Sequence, residues 1–249
     1  MTNKIFFIAN WKMFGDLNSV KSIESVINLS KKKKFRRAKI IYCPPFTLLN
    51  NFVIKTNKSK IGVGAQNCYF EKDTGPFTGS ISSSMIKKIG CKYIIIGHSE
   101  NRAQGETNIQ INKKIHNAIS DNLNVIFCIG ESLIEKKNKK TNIILKKQIN
   151  LGLKKIKKIN KIIFAYEPVW SIGTGKILTN KELKNLIVSI KSFIKKKFRN
   201  QKTQIIYGGS VNNKNISELK KINEINGFLI GGASQNSKIF IDIIKKTIN

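Results

Sequence analysis

Cysteine, histidine and acidic residues are scarce in this chain, and the scarcity excludes several classes of protein. The four cysteines are scattered without a Cys-x-x-Cys pair, so the sequence predicts free thiols in a reducing cytoplasm, with no disulfide framework and no zinc site. They are Cys43, Cys68, Cys91 and Cys128. Two histidines, His98 and His116, are the chain's only imidazoles.

Long hydrophobic runs are also missing. The N-terminal segment IFFIA is too short for the apolar region of a signal peptide or for a membrane span, and polar NWK follows it. We therefore expect a cytoplasmic protein without a membrane partner.

Negative charge is the third shortage. Fourteen acidic residues face 46 basic ones, which gives a formal net charge of +32. Such an excess is typical of proteins that bind nucleic acid or anionic membranes. The lysines, however, are spread along predicted helices and loops, and Lys, Asn and Ile, which share A/T-rich codons, are abundant everywhere. We favour compositional drift and expect no specific nucleic-acid partner.

Eight short apolar segments recur along the chain, with longer amphipathic stretches between them. They are KIFFIAN, KIIYC, KIGVGAQN, YIIIGH, NVIFCIGE, KIIFAYE, QIIYGG and GFLIGG. Segments that are apolar throughout are typical of parallel strands buried on both faces. Strict strand–helix alternation in about 250 residues favours a closed (β/α)8 barrel, with eight parallel strands surrounded by helices, over an open doubly wound sheet. We see no dividing linker and expect a single barrel domain over residues 1–249.

Apolar residues at helical spacing support this alternation. Thr179 and Glu182 form a capping box, and the stripe that follows has the 3.6-residue period of a helix. That stripe is Leu183, Leu186, Ile187, Ile190 and Ile194. Two further stripes predict helices: one of Leu145, Ile149, Leu153 and Ile156, and a shorter one of Leu48, Leu49, Phe52 and Val53.

Polar residues and glycine pairs follow the predicted strands. The residues after each strand of a barrel meet at one end, where barrel enzymes place their active sites. Here they are Asn10, Lys12, Gln66, Asn67, His98, Glu100, Glu131, Glu167, Gly208–Gly209 and Gly231–Gly232. Glycine pairs after the last two strands match the phosphate cradle of barrels. Together the set describes one pocket with a base, an imidazole, a lysine and a phosphate-binding loop.

A structural role is the alternative for each of these residues. Lys12 could be one more surface lysine, and His98 could cap a helix. We interpret Glu131 as structural. His116 lies within an amphipathic helical pattern, where a structural role is favoured.

The stretch IIFAYEPVWSIGTGK, from Ile162 to Lys176, ends a predicted strand with a carboxylate, a proline and a glycine-rich segment. It does not match a P-loop, because Trp170 replaces the first glycine and Ile177 the Ser or Thr. It does not match a dinucleotide fingerprint either, because Leu178 replaces the third glycine. Glu167 therefore either caps a local group or awaits a ligand.

Nine motifs occur in order along the whole chain: ANWKM, GAQNCY, FTGSIS, IGHSENR, GET, CIGES, AYEPVWSIGTGK, YGGSV and GFLIGGAS. With them the chain resembles the triosephosphate isomerase family. The resemblance implies interconversion of dihydroxyacetone phosphate and D-glyceraldehyde 3-phosphate through an enediolate, in glycolysis and gluconeogenesis. It also implies that no metal or organic cofactor is needed.

The resemblance assigns roles to the residues at the strand ends. It implies that Glu167 is the base, His98 the neutral electrophile and Lys12 the active-site cation, with Asn10 beside it and Glu100 positioning the lysine. Backbone N–H donors to the phosphate would come from Gly173, Ser210, Gly231 and Gly232. Residues 168–170 would be the stiff hinge of a lid, and residues 171–175 its moving tip.

The chain departs from the family pattern at five positions. Ser80 stands where the family usually has Glu, Asn101 where it has Arg, and Ser171 where alanine is common. Ile177 and Leu178 replace small hinge residues. None of these changes removes a group that takes part in the chemistry.

The resemblance also implies a homodimer. The segment EKDTGPFTGS, residues 71–80, would insert into the partner and carry Thr78 toward the partner's Asn10 and Lys12. Our hypothesis is that the family's Glu at Ser80 and Arg at Asn101 are ion-pair partners across this interface. Their joint loss avoids a buried unpaired charge.

Two other functions are consistent with parts of the sequence. Another phosphate-binding barrel isomerase would share the glycine pairs, but it would not need a Glu-Pro-Val-Trp lid beside a His-Ser-Glu turn. A basic nucleic-acid-binding protein on an inactive barrel would be expected to lose catalytic residues. Asn10, Lys12, His98 and Glu167 are nevertheless all present.

Overall fold

Eight parallel strands close into a barrel in chain order, with β8 paired to β1. The computed structural model describes residues 4–199 and 201–249. The strands are β1 Ile5–Asn10, β2 Ala38–Cys43, β3 Gly62–Ala65, β4 Tyr93–Ile96, β5 Asn124–Ile129, β6 Ile162–Tyr166, β7 Gln204–Tyr207 and β8 Gly227–Ile230. Each lies within or overlaps one of the eight apolar segments, which confirms the predicted (β/α)8 barrel.

Helices follow the strands and surround the barrel. They are α1 Leu17–Lys21, α2 Glu24–Lys31, α3 Leu49–Thr56, α4 Ser83–Ile89, α5 Ser99–Ala103, α6 Asn108–Ser120, α7 Leu133–Lys137, α8 Thr141–Gly152, α9 Asn180–Lys197, α10 Ile216–Leu219 and α11 Ser237–Ile248. Short 3-10 turns cover Lys33–Phe35, Phe46–Leu48, Val169–Ser171 and Gly232–Ser234. No helix in these described ranges is both long and apolar enough to cross a membrane.

The start of α9 confirms the predicted capping box. The Thr179 hydroxyl accepts from the Glu182 amide, and the Glu182 carboxylate accepts from the Thr179 amide at 2.9 Å. The helix buries Leu183, Ile187 and Ile190 of the predicted stripe against the barrel.

The predicted stripe on α8 extends too far. The helix ends at Gly152, so Leu153 and Ile156 lie beyond it. Lys155 has a φ of 64°, a left-handed conformation that cannot continue a right-handed helix. Leu153 is still buried, as the apolar pattern predicts.

Two apolar layers hold the barrel together. One fills its interior and the other lies between the strands and the helices. Glycine in β3 makes room for an interior ring, because a Cβ on Gly62 would lie 2.7 Å from the Tyr93 ring. All four cysteines are buried free thiols, as predicted.

Candidate active site

A cavity of about 280 Å³ opens at the carboxyl ends of the strands. Most of the predicted site residues line it: Asn10, Lys12, His98, Glu167, Gly173, Ser210, Gly231 and Gly232. Glu100 lines an adjoining cavity of about 230 Å³ together with Asn10, Lys12 and His98. The barrel therefore brings residues from distant parts of the chain to one place.

Glu167 and His98 face each other inside the main cavity. Glu167 follows β6, and its Oε1 lies 3.4 Å from Nε2 of His98, with both side chains buried. Burial raises the pKa of Glu167, but the neighbouring polar and charged groups, with protonated His98 foremost and the Lys12 ammonium among them, together hold the pKa below its ordinary value. The carboxylate is therefore ionised at neutral pH, as a base must be.

His98 is oriented by the helix that it caps. Its Nδ1 accepts from the Glu100 amide at the start of α5, at 3.2 Å, so the proton of the neutral ring lies on Nε2 and points into the cavity. Burial lowers the pKa of His98, but the carboxylates of Glu167 and, less strongly, Glu100 together offset this and raise the pKa. The amide opposes a proton on Nδ1, because a protonated Nδ1 cannot accept its hydrogen bond.

We predict that Glu167→Gln lowers the pKa of His98. The substitution removes the carboxylate that raises this pKa, while burial, which lowers it, remains. The chain has two histidines, so an NMR titration of two imidazole signals measures the effect. His116 is the internal control, since its Nε2 faces the Lys154 carbonyl oxygen at 3.0 Å. An unchanged His98 titration would contradict the coupling.

The same pair predicts a pH dependence of stability. The raised pKa of His98 contributes stability below the ordinary histidine value of about 6.5, and this is lost as pH rises through the raised pKa. The lowered pKa of Glu167 contributes stability above its ordinary value of 4.5, lost as pH falls through the lowered pKa. The free energy of unfolding of wild type should therefore exceed that of Glu167→Gln by the largest amount between about pH 4.5 and 6.5. Denaturant unfolding at a series of pH values measures this difference.

Lys12 is held in an uncommon backbone conformation. Its φ is 54°, a left-handed value that a lysine adopts only when its surroundings impose it. Its amide donates to Asn10 Oδ1 at 3.1 Å, and its carbonyl accepts from Gln66 Nε2 at 2.9 Å. Its Nζ lies 2.6 Å from Glu100 Oε1. These contacts aim the ammonium group at the cavity.

The glycine pairs let the backbone approach the cavity. A Cβ on Gly208 would lie 2.8 Å from Glu167 Cγ, whereas one on Gly232 would meet nothing within 4 Å. Gly208 is therefore required by packing around the base, whereas the space beside Gly232 is open. The Gly208 amide donates to the Tyr166 carbonyl oxygen at 2.9 Å, so any backbone donors to an anion must come from other residues that line the cavity, such as Gly231 and Gly232.

The lid, residues 168–178, is fixed at its leading end by Glu131. The Trp170 indole donates to Glu131 Oε1 at 3.0 Å, and the Val169 amide donates to the Glu131 carbonyl oxygen at 3.0 Å. The Tyr166 hydroxyl adds a contact at 3.2 Å. Burial raises the pKa of Glu131 above its ordinary value. Glu131 thus has the structural role that the sequence favours, and its partner is the lid.

Ser171 closes the base of the lid, a feature that the sequence did not indicate. Its hydroxyl donates to the Lys176 carbonyl oxygen, and its own carbonyl oxygen accepts from the Ser210 hydroxyl. The Gly175 amide donates to Ser210 Oγ at 3.4 Å. Ser171 is fully buried. Ser171 and Ser210 therefore hold the lid as a clasp of hydrogen bonds, within the lid and to the loop after β7.

We predict that Ser171→Ala makes the lid more mobile, because it removes the Ser171–Lys176 hydrogen bond within the lid. One lost hydrogen bond of about 0.5–1.5 kcal/mol should raise KM for the substrate roughly 2- to 10-fold, with kcat unchanged or higher if product release limits it. Steady-state kinetics give the split. Ser192→Ala, on the exposed face of α9, is the matched control. An identical KM in Ser171→Ala and wild type would show that the clasp does not hold the lid.

Comparisons with known proteins agree with this geometry. A family model described as triosephosphate isomerase matches residues 5–247. The chain is 40% identical over 248 residues to a triosephosphate isomerase from Clostridium tetani, covering 97% of this chain and 96% of the relative. It is 42% identical to one from Dictyoglomus thermophilum, covering 95% and 97%, and 38% identical to one from Yarrowia lipolytica over the full length of both.

Proposed function

The chain belongs to the triosephosphate isomerase family, and from this we propose that Glu167, His98 and Lys12 carry out its reaction. The protein is an aldose–ketose isomerase that interconverts dihydroxyacetone phosphate and D-glyceraldehyde 3-phosphate, a step of glycolysis and gluconeogenesis. The observation that carries the proposed roles is the buried Glu167–His98 pair, 3.4 Å apart and lining the same cavity as Lys12.

Glu167 is the base of the proposed mechanism. Its carboxylate removes a proton from the carbon beside the carbonyl group, and the electron pair moves to the carbonyl oxygen to give an enediolate. The same carboxylic acid then returns the proton to the neighbouring carbon. General base catalysis of this kind is typically worth about 10²–10⁴-fold.

His98 and Lys12 interact with the carbonyl oxygen of the substrate and with the two oxygens of the enediolate. The neutral imidazole donates its Nε2 proton toward the carbonyl oxygen and moves protons between the two oxygens of the enediolate. The Lys12 ammonium, with Asn10 beside it, stabilises the negative charge that develops there, an effect worth several kcal/mol in a site that excludes water. Glu100, at 2.6 Å from Lys12 Nζ, positions the lysine.

The phosphate is held by backbone N–H groups, in this proposal those of Gly173, Ser210, Gly231 and Gly232. The closed lid excludes water and keeps the phosphate in the plane of the enediolate, which prevents its elimination. Every step moves a proton or an electron pair within the substrate and these side chains, so the mechanism calls for no metal or organic cofactor.

A coupled assay of the purified protein in both directions tests the activity. We expect turnover of both triose phosphates by wild type, and none above background by Glu167→Ala. If Glu167→Ala were as active as wild type, the isomerase function would still be supported, but Glu167 would not be the base.

We further propose that the protein works as a homodimer in the cytoplasm, with residues 1–249 as one catalytic domain. Large apolar side chains near the active-site mouth favour the dimer: Met13 is 100% exposed and Phe14 44%. The cavity of about 230 Å³ beside Asn10, Lys12 and Asn101 is a suitable socket for the Thr78 loop, residues 71–80, of a second copy. Aromatic packing of Tyr69 on Phe77, at 5.0 Å between centroids, stiffens that loop.

Restoring the charges at Ser80 and Asn101 tests the proposed interface. Ser80→Glu alone should weaken the dimer, because it places an unpaired charge at the contact, and Ser80→Glu/Asn101→Arg should recover it. Sedimentation at micromolar concentration measures the dissociation of the single and the double variant, with wild type, which we expect to be a dimer, as the reference. An active monomer in wild type would contradict the dimer, and equal dissociation of the single and double variants would contradict the ion pair.

A further inference from the structure

A second cavity, of about 600 Å³, lies at the end of the barrel away from the active site. Its walls come from the connection that leads from α8 into β6 and from the one that leads from α9 into β7; the lining residues are Leu153, residues 155–158, residues 197–199 and Gln201. These segments precede the amino ends of their strands, whereas the catalytic residues follow the carboxyl ends. The volume is typical of small-molecule sites, which span about 300–1,000 Å³. We call it the basic cleft.

Positive charge dominates the walls of the basic cleft. Its basic residues are Lys155, Lys157, Lys158, Lys197 and Arg199. No acidic side chain of the described ranges 4–199 and 201–249 lines the cleft or forms an ion pair with any of the five.

The floor of the cleft is apolar, and hydrogen bonds hold its two walls together. Leu153 and Phe198 are buried there, and Lys197 Nζ lies 5.7 Å from the centre of the Phe198 ring. The Gln201 amide bridges the two sides: it donates to the Lys157 carbonyl oxygen and accepts from the Ile159 amide, both at 2.9 Å. The basic side chains therefore rise from two segments that are tied together.

The negative ends of the neighbouring helix dipoles do not neutralise the positive charge of the cleft. The carboxyl ends of α8 and α9 supply about −0.5 each, which leaves an excess of roughly four positive charges from the five side chains. Lys155 and Arg199 have φ values of 64° and 48°, a region where glycine is the unstrained choice. At both positions a cationic residue lines the cleft although its backbone conformation is strained for any residue other than glycine.

We propose that the basic cleft binds a polyphosphate chain, either inorganic triphosphate or the phosphates of a nucleoside triphosphate. Lysine and arginine bind phosphate oxygens through charge-assisted hydrogen bonds, and the half-buried Ile156 in the lining offers an apolar contact to a base ring. The bound anion would clamp the amino ends of β6 and β7. Because the clamp is remote from Glu167, it stabilises the fold by linkage and does not compete with triose phosphate. The inference is independent of the residue roles proposed above.

Calorimetric titration with inorganic triphosphate and with ATP tests the proposal. The active site is first filled with an excess of glycerol 3-phosphate, an unreactive analogue, so that its phosphate site does not contribute. The test variant is Lys155→Asn/Lys158→Gln/Arg199→Asn, in which asparagine is chosen because it tolerates left-handed backbone. The control variant, Lys31→Gln/Lys32→Gln/Lys34→Gln, removes the same charge from the exposed cluster that leads into β2.

Wild type and the control should bind one anion per chain, while the test variant binds at least about tenfold more weakly. Ligand-induced rises in Tm should be lost in parallel. Tighter binding of ATP than of triphosphate assigns the floor to the base ring, and equal binding assigns the site to the phosphate chain alone. Equal losses in both triple variants, several anions per chain, or preferential binding of a single-stranded RNA oligonucleotide would overturn the proposal.

Discussion

Replacing Glu167 with alanine should lower turnover by at least about 10²–10⁴-fold while folding and phosphate binding stay nearly intact. The carboxylate is the group placed to abstract a carbon-bound proton, and no second carboxylate lines the main cavity in the part of the chain that the structure describes. Glu167 Oε2 has no hydrogen-bond partner there, so few contacts are lost. Steady-state kinetics, unfolding curves and the affinity for glycerol 3-phosphate measure the three quantities.

Glu167→Gln is the matched control for shape, since it keeps the side-chain volume and removes the charge. Both variants should lose turnover to a similar extent, because the ionised oxygen is what catalysis requires. Most of the wild-type rate in either variant would remove Glu167 from the role of base. A loss of phosphate binding equal to the loss of turnover would instead indicate a damaged cavity.

Lys12→Met should produce the second largest effect, a loss in kcat/KM of several kcal/mol, or about 10²–10³-fold. The ammonium group faces both the developing enediolate charge and the substrate dianion, so kcat should fall and KM should rise. Methionine keeps the length of the stem. The Asn10 and Gln66 contacts to the Lys12 backbone should preserve the local conformation.

Lys181→Met on the exposed surface of α9 is the control, because it removes the same charge outside the cavity. Its kcat/KM should match wild type within about twofold, since surface charges are screened within about 8 Å at physiological salt. If Lys181→Met lost as much as Lys12→Met, the net charge of the protein, and not the position of Lys12, would be responsible.

The strands and the site residues could be predicted because their signals are local. An apolar segment followed by a polar residue marks the end of a buried strand, and barrel closure then brings such ends together. Glu167, His98 and Lys12 follow such strands in the sequence, and the structure brings them to one cavity; their roles come from the resemblance and stay a prediction. The mismatch at Leu153 and Ile156 arose because apolar spacing does not indicate that α8 ends at Gly152, or that the left-handed Lys155 lies beyond it.

Contacts between distant segments could not be predicted. Glu131 and Trp170 lie on successive strand ends, and the sequence offers no sign that one carboxylate receives the indole N–H of the lid. The Ser171 clasp depends on where Lys176 turns back, which is set by the lid conformation. The basic residues of the cleft appear in the sequence as two ordinary lysine runs, and only the packing of α8 against α9 makes them face each other.

Isotope incorporation tests the central claim, proton transfer by Glu167, most directly. Wild type is incubated with D-glyceraldehyde 3-phosphate in D₂O, and the product is examined by NMR. The carboxylic acid of Glu167 exchanges its proton in turnovers in which solvent reaches it, so part of the dihydroxyacetone phosphate should carry deuterium on the carbon that receives the proton, and Glu167→Ala should give none above background. Equal incorporation by wild type and Glu167→Ala would contradict the proposed mechanism.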